Sequence, residues 1–207
     1  DDTSKGNYRH HMQKEIFEQP QVLRSTLEGR IGRERALEHA FGVRAAEVFG
    51  TWLKTTPELE VKAILAEAIY EEFVHAEYLS EALKSKGAVP YDYKPVPAQM
   101  AMFNGFEALT TTCERIAAFP FAGEGVADYL IGKSLKAGTV PEWVTGPYQK
   151  IHDDEEEHGN YPFDLLVKYA TTPEIQDRVA RAVEMSLMLR RQYFDNLDRW
   201  VYQDSWS

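Results

Sequence analysis

The chain has a single cysteine, Cys113, so it can build neither a disulfide framework nor a cysteine-based zinc site of its own. Sparing use of cysteine suits a reducing compartment, and a cytoplasmic protein is expected; Cys113 reads as a packing residue. Runs of about 18 apolar residues are missing, so no membrane-spanning helix is expected, and no secretory leader pattern opens the sequence. Positive charge is scarce: 23 Lys and Arg stand against 33 Asp and Glu, a net charge of -10. Such a surface repels phosphate backbones, which argues against nucleic acid as a partner. Glycine-rich phosphate loops and alternating strand patterns are absent too. What is present is 43% hydrophobic residues over 207 positions, enough for one domain with a sizeable core. The expected class is all-α. The chain opens at Asp1 rather than Met, so its native N-terminus is expected to lie upstream.

Residues 1–30 are polar, with Gly6, Pro20 and Gly29, and read as an N-terminal extension holding one short helix near 11–18. Residues 31–207 read as a helical bundle. From Ile31 to Lys54, Leu37, Phe41, Ala45, Val48 and Trp52 recur at spacings of three and four, the mark of one buried stripe; Gly42 weakens it locally. In Thr55-Thr56-Pro57-Glu58, Thr56 can cap a second helix and Pro57 suits its first position. That helix runs to about Lys86 on a stripe of Val61, Leu65, Ala68, Ile69, Glu72, Ala76, Leu79 and Leu83. The prolines between Gly87 and Pro97 mark a long connection. A third helix is expected from Ala98 to Phe119, closed by Pro120 and a Gly123-Glu124-Gly125 turn, with a short inserted helix over 125–136. The fourth begins near Val140 or Pro147, and Pro162 should kink it. Thr171-Thr172-Pro173-Glu174 repeats the earlier tetrapeptide before a last helix that ends near Tyr202.

Two stretches share the pattern acid-Glu-x-x-His: Glu71-Glu72-Phe73-Val74-His75 and Asp154-Glu155-Glu156-Glu157-His158. Residues three apart lie on one helix face, so each Glu and its His can address one point. Two such pairs, plus a Glu from each of two further helices, form the ligand set of carboxylate-bridged di-iron or di-manganese bundles. A carboxylate on a core face is costly to ionise without a cation or hydrogen bonds, and a shared metal site supplies the cation. The bland alternative is that Asp153 to Glu157 form a solvated acidic run with His158 covering a helix face. Glu71 and Asp154, each four residues before a histidine, can accept from the imidazole N–H that is not bound to metal, on their own or a facing helix.

A third-helix carboxylate is expected at Glu107, which lies deeper in the helix than Glu114. Thr110 shares that face and offers a hydroxyl to the site. Counting back from the second helix puts Gly42 opposite Glu72, so Glu38, one turn away on the core face, is the first-helix candidate. His152, three residues before Glu155, can reach the site or serve as a hydrogen-bonded helix residue.

From about residue 50 onward the chain resembles the ferritin-like family of the phenylacetyl-CoA epoxygenase catalytic subunit. The resemblance rests on Val61-Lys62-Ala63-Ile64-Leu65 leading into Glu72-x-x-His75, then on Glu155-x-x-His158 and the long final helix. It implies a ferritin-like four-helix bundle with an extra C-terminal helix, and two iron ions, or manganese, on Glu72, His75, Glu155 and His158. Glu107 is carried over as the third-helix acid, while the first-helix Glu falls at Gly42. It also implies an O2-dependent monooxygenase-type oxidoreductase acting on a small organic substrate, served by a reductase or partner subunit and assembled as a homo-oligomer. This chain is shorter than the epoxygenase subunit, so a CoA thioester substrate is not implied. A ferritin-like subunit that binds iron without catalysis is the alternative.

The N-terminus resembles glucosamine-6-phosphate synthase where the chain of that enzyme enters its isomerase half. The likeness rests on Lys5-Gly6-x-Tyr8-Arg9-His10-x-Met12-Gln13-Lys14-Glu15-Ile16-x-Glu18-Gln19-Pro20 and Thr26-Leu27-Glu28-Gly29-Arg30-Ile31, and extends toward Phe49. The Cys-Gly-Thr-Ser sugar-phosphate loop that should follow is missing, which excludes a complete isomerase and leaves a fragment or fusion as a third reading.

Overall fold

The computed structural model describes residues 38–88, 95–158 and 161–203, and these are helical almost throughout, with no strand among them. The protein is all-α. The extension over 1–30, with its expected helix near 11–18, lies outside the described residues, as do the side chains of Glu38 and His158. No helix among the described residues is long and apolar enough to cross a membrane.

Helix α1 (Glu38–Thr55) turns back onto α2 (Leu59–Lys84), and the two pack along each other. Of the expected α1 stripe, Ala45, Val48 and Trp52 are within 1% of complete burial, and Phe49 joins them; the side chains of Leu37 and Phe41 lie outside the described residues. The Thr-Thr-Pro-Glu tetrapeptide between them does not cap as expected. Helix α2 starts at Leu59 with Glu58 in the cap position and no side-chain cap bond. Thr56 is instead drawn inside, where its hydroxyl accepts from Arg115 Nη1 at 3.2 Å, and Glu58 accepts from the Thr112 hydroxyl at 2.6 Å. A buried guanidinium has prior need of that hydroxyl. The second copy does cap: the Thr172 hydroxyl accepts from the Ile175 N–H at 3.3 Å, ahead of the helix that begins at Pro173.

The expected third helix is two pieces. Helix α3 (Pro97–Glu107) stops early, and Thr111 opens α4 (Thr112–Ile116) through a reciprocal cap with Glu114. A π-helical segment, Ala117–Glu124, follows and runs directly into α5 (Gly125–Lys136). The turn expected at Gly123-Glu124-Gly125 is therefore helix, and α5 is a continuation rather than an insertion. Proline in an α-helix lacks a donor and strikes the carbonyl four residues back; the wider π winding accommodates Pro120. Packing fixes the result. Phe119 makes edge contacts with Phe49 at 4.7 Å and Phe106 at 5.0 Å between ring centroids, and the buried Ser186 hydroxyl donates to the Ala118 carbonyl. Burying each such ring stabilises by roughly 1.5–3 kcal/mol.

Helix α6 (Glu142–His158), α7 (Tyr161–Tyr169) and α8 (Pro173–Gln203) complete the described fold. Pro162 is the second residue of α7, where a missing N–H is harmless, so it helps start a helix instead of kinking one. Lys168 and Tyr169 of α7 both donate to Glu60 of α2. Helix α6 packs on α2 and α5, while α8 packs on the π segment, α3 and α4. These contacts bring α2, the π segment, α6 and α8 to a common interior point.

Candidate metal centre

Two cavities meet at that point and share four walls: Glu72 and His75 from α2, Glu124 from the π segment and Glu155 from α6. The outer cavity, about 280 Å³, is acidic and adds Glu67, Glu71 and Tyr161. The inner one, about 140 Å³, is lined mainly by apolar side chains, among them Leu79, Leu130, Ile151 and Phe194. Helical spacing explains the convergence: Glu72 and His75 are three apart on the stripe that buries Val61, Leu65 and Leu79.

His75 is 6% exposed. Its Nε2 lies 3.3 Å from Asp154 Oδ2 on the facing helix. An ionised Asp154 can only accept, so Nε2 carries the proton, and in the neutral imidazole Nδ1 is then an acceptor. Nδ1 faces Glu155 Oε1 at 3.8 Å. His75 thus stands between two carboxylates on the facing helix, one at each ring nitrogen.

Glu72 keeps some accessible surface, as a cavity wall does, yet burial together with the negative charges of Glu124, Glu155 and Glu71 holds its carboxyl well above the usual range; Arg190 opposes the rise. Arg190 of α8 is 4% exposed and lines the inner cavity. Burial pushes it down to about 10, with Tyr193, Glu124 and Glu72 pulling the other way, so it stays charged at neutral pH. Tyr161 is driven upward by burial and by Glu124, Glu155, Glu71 and Glu67, which keeps its phenol protonated as a donor.

Of the residues expected at the site, Glu71, Glu72, His75, Asp154 and Glu155 come together here. Glu107 does not: it pairs with Arg44 Nη2 at 3.0 Å and lines neither cavity, because α3 ends at that residue and turns its carboxylate to α1. Thr110 accepts from Arg178 at 3.3 Å in a separate cluster with Glu114. His152 is hydrogen-bonded to Asp128 of α5, which raises its basicity above the ordinary histidine value. Glu38 and His158 belong to helices whose backbones are described, but their side chains lie outside the described residues. Gly42 does face Glu72, at a separation so small that a Cβ there would stand 3.0 Å from the Glu72 carbonyl oxygen and 3.1 Å from its Oε2.

Three contributors escape the sequence reading. Glu124 sits among Pro120, Gly123 and Gly125, a turn signature. Tyr161 precedes Pro162 and reads as part of a kink. Arg190 had a legible sign: it is a charge at helical spacing with Ala182, Ser186 and Tyr193, all buried.

The donor types, carboxylates with an imidazole whose other nitrogen faces an acid, are ones that iron, manganese and zinc accept. The 3.8 Å gap between His75 and Glu155 is within the span of two ligand bonds of about 2.1 Å each. Among the described residues, no three His, Cys, Asp or Glu side chains already stand close enough together to hold a metal ion.

The N-terminal segment has close relatives. The chain is similar to the isomerizing glutamine–fructose-6-phosphate aminotransferase of Pseudomonas syringae pv. tomato, 62% identical over 45 residues, which is 22% of this chain and 7% of that protein. It is 58% identical over 45 residues to the Pseudomonas aeruginosa enzyme of that name, again 22% and 7%. To the Vibrio cholerae one it is 54% identical over 48 residues, 23% and 8%. The chain thus spans under a tenth of the length of these relatives. No protein-family model matches, and no solved structure matches.

Proposed function

We propose that the protein is a carboxylate–histidine metalloprotein of the ferritin-like di-iron kind, acting as an O2-dependent oxidoreductase on a small apolar organic molecule. The convergence of Glu72, His75, Glu124 and Glu155, from three elements, on the wall between two adjoining cavities carries this reading. Glu72, His75, Glu124 and Glu155 would hold the metal, with Glu124 in the part expected of Glu107, and His158 three residues beyond Glu155. Iron bound there would supply electrons to O2; manganese suits the same donors. The protein's own share is separate. Asp154 would orient the His75 ring and hold the proton on Nε2. Tyr161 offers a proton to the carboxylate cluster. The inner cavity is lined mainly by apolar side chains, and its volume of about 140 Å³ is close to the roughly 150 Å³ that accepts benzene in an engineered core. Continued turnover calls for a separate reductase.

Anaerobic titration with Fe(II), followed by gel filtration and elemental analysis, should retain metal in the native protein. His75→Ala should lose it with helical circular dichroism unchanged. A native protein that retains no metal would sink the proposal. Metal retention without O2 consumption in the presence of a reductant and small aromatic compounds would favour the non-catalytic, iron-binding reading. The aminotransferase-like segment supports a third reading, in which the protein binds a sugar phosphate. A thermal shift with glucosamine- or fructose-6-phosphate, and none with metal, would favour it.

A further inference from the structure

We propose that the outward face of α2 is a docking surface for a second copy of this chain, with the two α2 helices side by side and parallel. The inference stands apart from the metal reading.

Helix α2 buries one face in the fold through Val61, Leu65, Ala76 and Leu79. On a helix that covers a core, the opposite face is normally polar. Here it is not. Leu59, Ala63, Ala66, Tyr70 and Phe73 follow one another at alternating steps of four and three, and all five are exposed. Leu59 is 82% exposed, Tyr70 70% and Phe73 49%. Apolar residues scattered singly over a surface need no explanation, but a continuous line of them does. Alternating steps of four and three are the spacing of a seam between two helices. Leu59 to Phe73 covers 73 − 59 = 14 residue steps, about 21 Å of helix. Ala63 and Ala66, in its middle, let a partner helix come close. Glu77, next in the series, ends the apolar line. Like charges would meet there, which confines the contact to Leu59 through Phe73.

The flanks choose the occupant and its direction. Lys62 and Ile69 border the seam on one side, Glu67 and Val74 on the other. With the seam at a and d, a parallel pair brings the g position of one helix to the next e position of its partner. Lys62 then meets Glu67 and Ile69 meets Val74, and twofold symmetry makes each contact twice. Opposite charges face each other, and apolar faces apolar. The antiparallel arrangement turns the same flanks against the contact: Glu67 then faces Glu67 or Glu60 of the second copy, and Lys62 faces Ile69 or Ala76. Association asks little of the chain, because α2 is already held by α1 and no helix has to form on binding. Glu67 lines the outer cavity, so the dimer sets Lys62 of the second copy at the rim of that cavity.

Analytical ultracentrifugation of the full chain tests this, over about 1 to 100 μM protein in about 0.15 M salt. The native protein should dimerise. Ala66→Glu should stay monomeric with helical circular dichroism unchanged, since the position is exposed and glutamate is a good helix former. Lys62→Glu should weaken association by about tenfold, and adding Glu67→Lys should restore it. Ala63→Cys should cross-link to its own counterpart on mild oxidation, because the two meet in the parallel pair; Cys113 is buried and does not compete. A native protein that stays monomeric would overturn the proposal, whether the face then binds phosphatidylcholine vesicles or a helix of another protein. A dimer unaffected by Ala66→Glu would place the interface elsewhere. A dimer lost in Ala66→Glu, but neither restored by the exchanged charges nor cross-linked through Ala63→Cys, would refute the parallel arrangement. None of these outcomes depends on bound metal, so failure here leaves the metal site standing.

Discussion

Glu72 and Glu114 are the same residue under opposite regimes. Glu114 accepts two bonds from the Arg178 guanidinium, both at 2.9 Å, and two from Thr111, from its N–H at 3.1 Å and its hydroxyl at 2.7 Å. Burial raises its carboxyl, but these partners outweigh burial and leave it below the ordinary value. Glu72 is raised by burial and by three neighbouring acids, against one opposing arginine. The first carboxylate is satisfied by the chain itself. The second is opposed by one arginine alone, and in the proposed site a cation would supply what Arg178 and Thr111 supply to Glu114.

The largest expected effect is the response to metal. A divalent ion at about 100 times its dissociation constant stabilises a fold by about 2.7 kcal/mol. Melting of the native protein should therefore rise by several degrees with Fe(II) or Mn(II) and fall back with chelator, while Glu72→Ala shows no rise. An equal rise in both would mean that Glu72 is no ligand, and the contrast with Glu114 would collapse.

A smaller effect is expected at the satisfied acid. Glu114→Ala removes a cap and a charge-assisted pair, and should cost about 2 kcal/mol in urea unfolding after allowing for the exposure of Arg178. The loss should be the same with and without metal; a metal-dependent loss would tie the two clusters together.

The smallest effect sharpens the sign. Glu72→Gln keeps the shape and removes the buried charge, so it should stabilise the metal-free protein by about 1 kcal/mol at neutral pH. The pH dependence of the metal-free protein follows. For Glu72, raised in the fold, the favourable contribution is complete below the ordinary carboxyl value and is lost as pH rises through the folded one. For Glu114, lowered in the fold, it is present above the ordinary value and is lost as pH falls through the folded one. Stability measured across pH should lose its neutral-side decline in Glu72→Gln and its acid-side decline in Glu114→Gln. Unchanged curves would show that neither carboxyl carries the assigned shift.

Much of this arrangement can be read from spacing alone. The α1 stripe, the inward position of Glu72 and the placement of Gly42 against it follow from helical period and a short connection, which together fix how two helices register. Asp154 is named by the sequence as a partner for an imidazole nitrogen; only folding shows that the imidazole is His75 on the facing helix. Glu107 reads as mid-helix only if the helix runs on to Phe119; the helix ends at Glu107, and its carboxylate pairs with Arg44. Glu124 is missed for a deeper reason: Pro120 and two glycines describe a turn to any local reading, and what keeps them helical is Phe119 among distant aromatic rings and Ser186 on the Ala118 carbonyl. Arg190 stands as a charge on a buried face, and the room for its guanidinium is made by Gly123 in another helix.

The π segment has one more consequence. It acts as a phase setting between two halves of a single rod, one packed on the aromatic core and the other turned toward the acids. Each residue of an α-helix advances the winding by about 100°. Rewinding Ala117–Glu124 to α-helical pitch at the same chain length would rotate everything from Glu124 onward to another face, with no side chain of the site altered. The winding over those positions thus sets which residues meet at the cavity as much as their identity does.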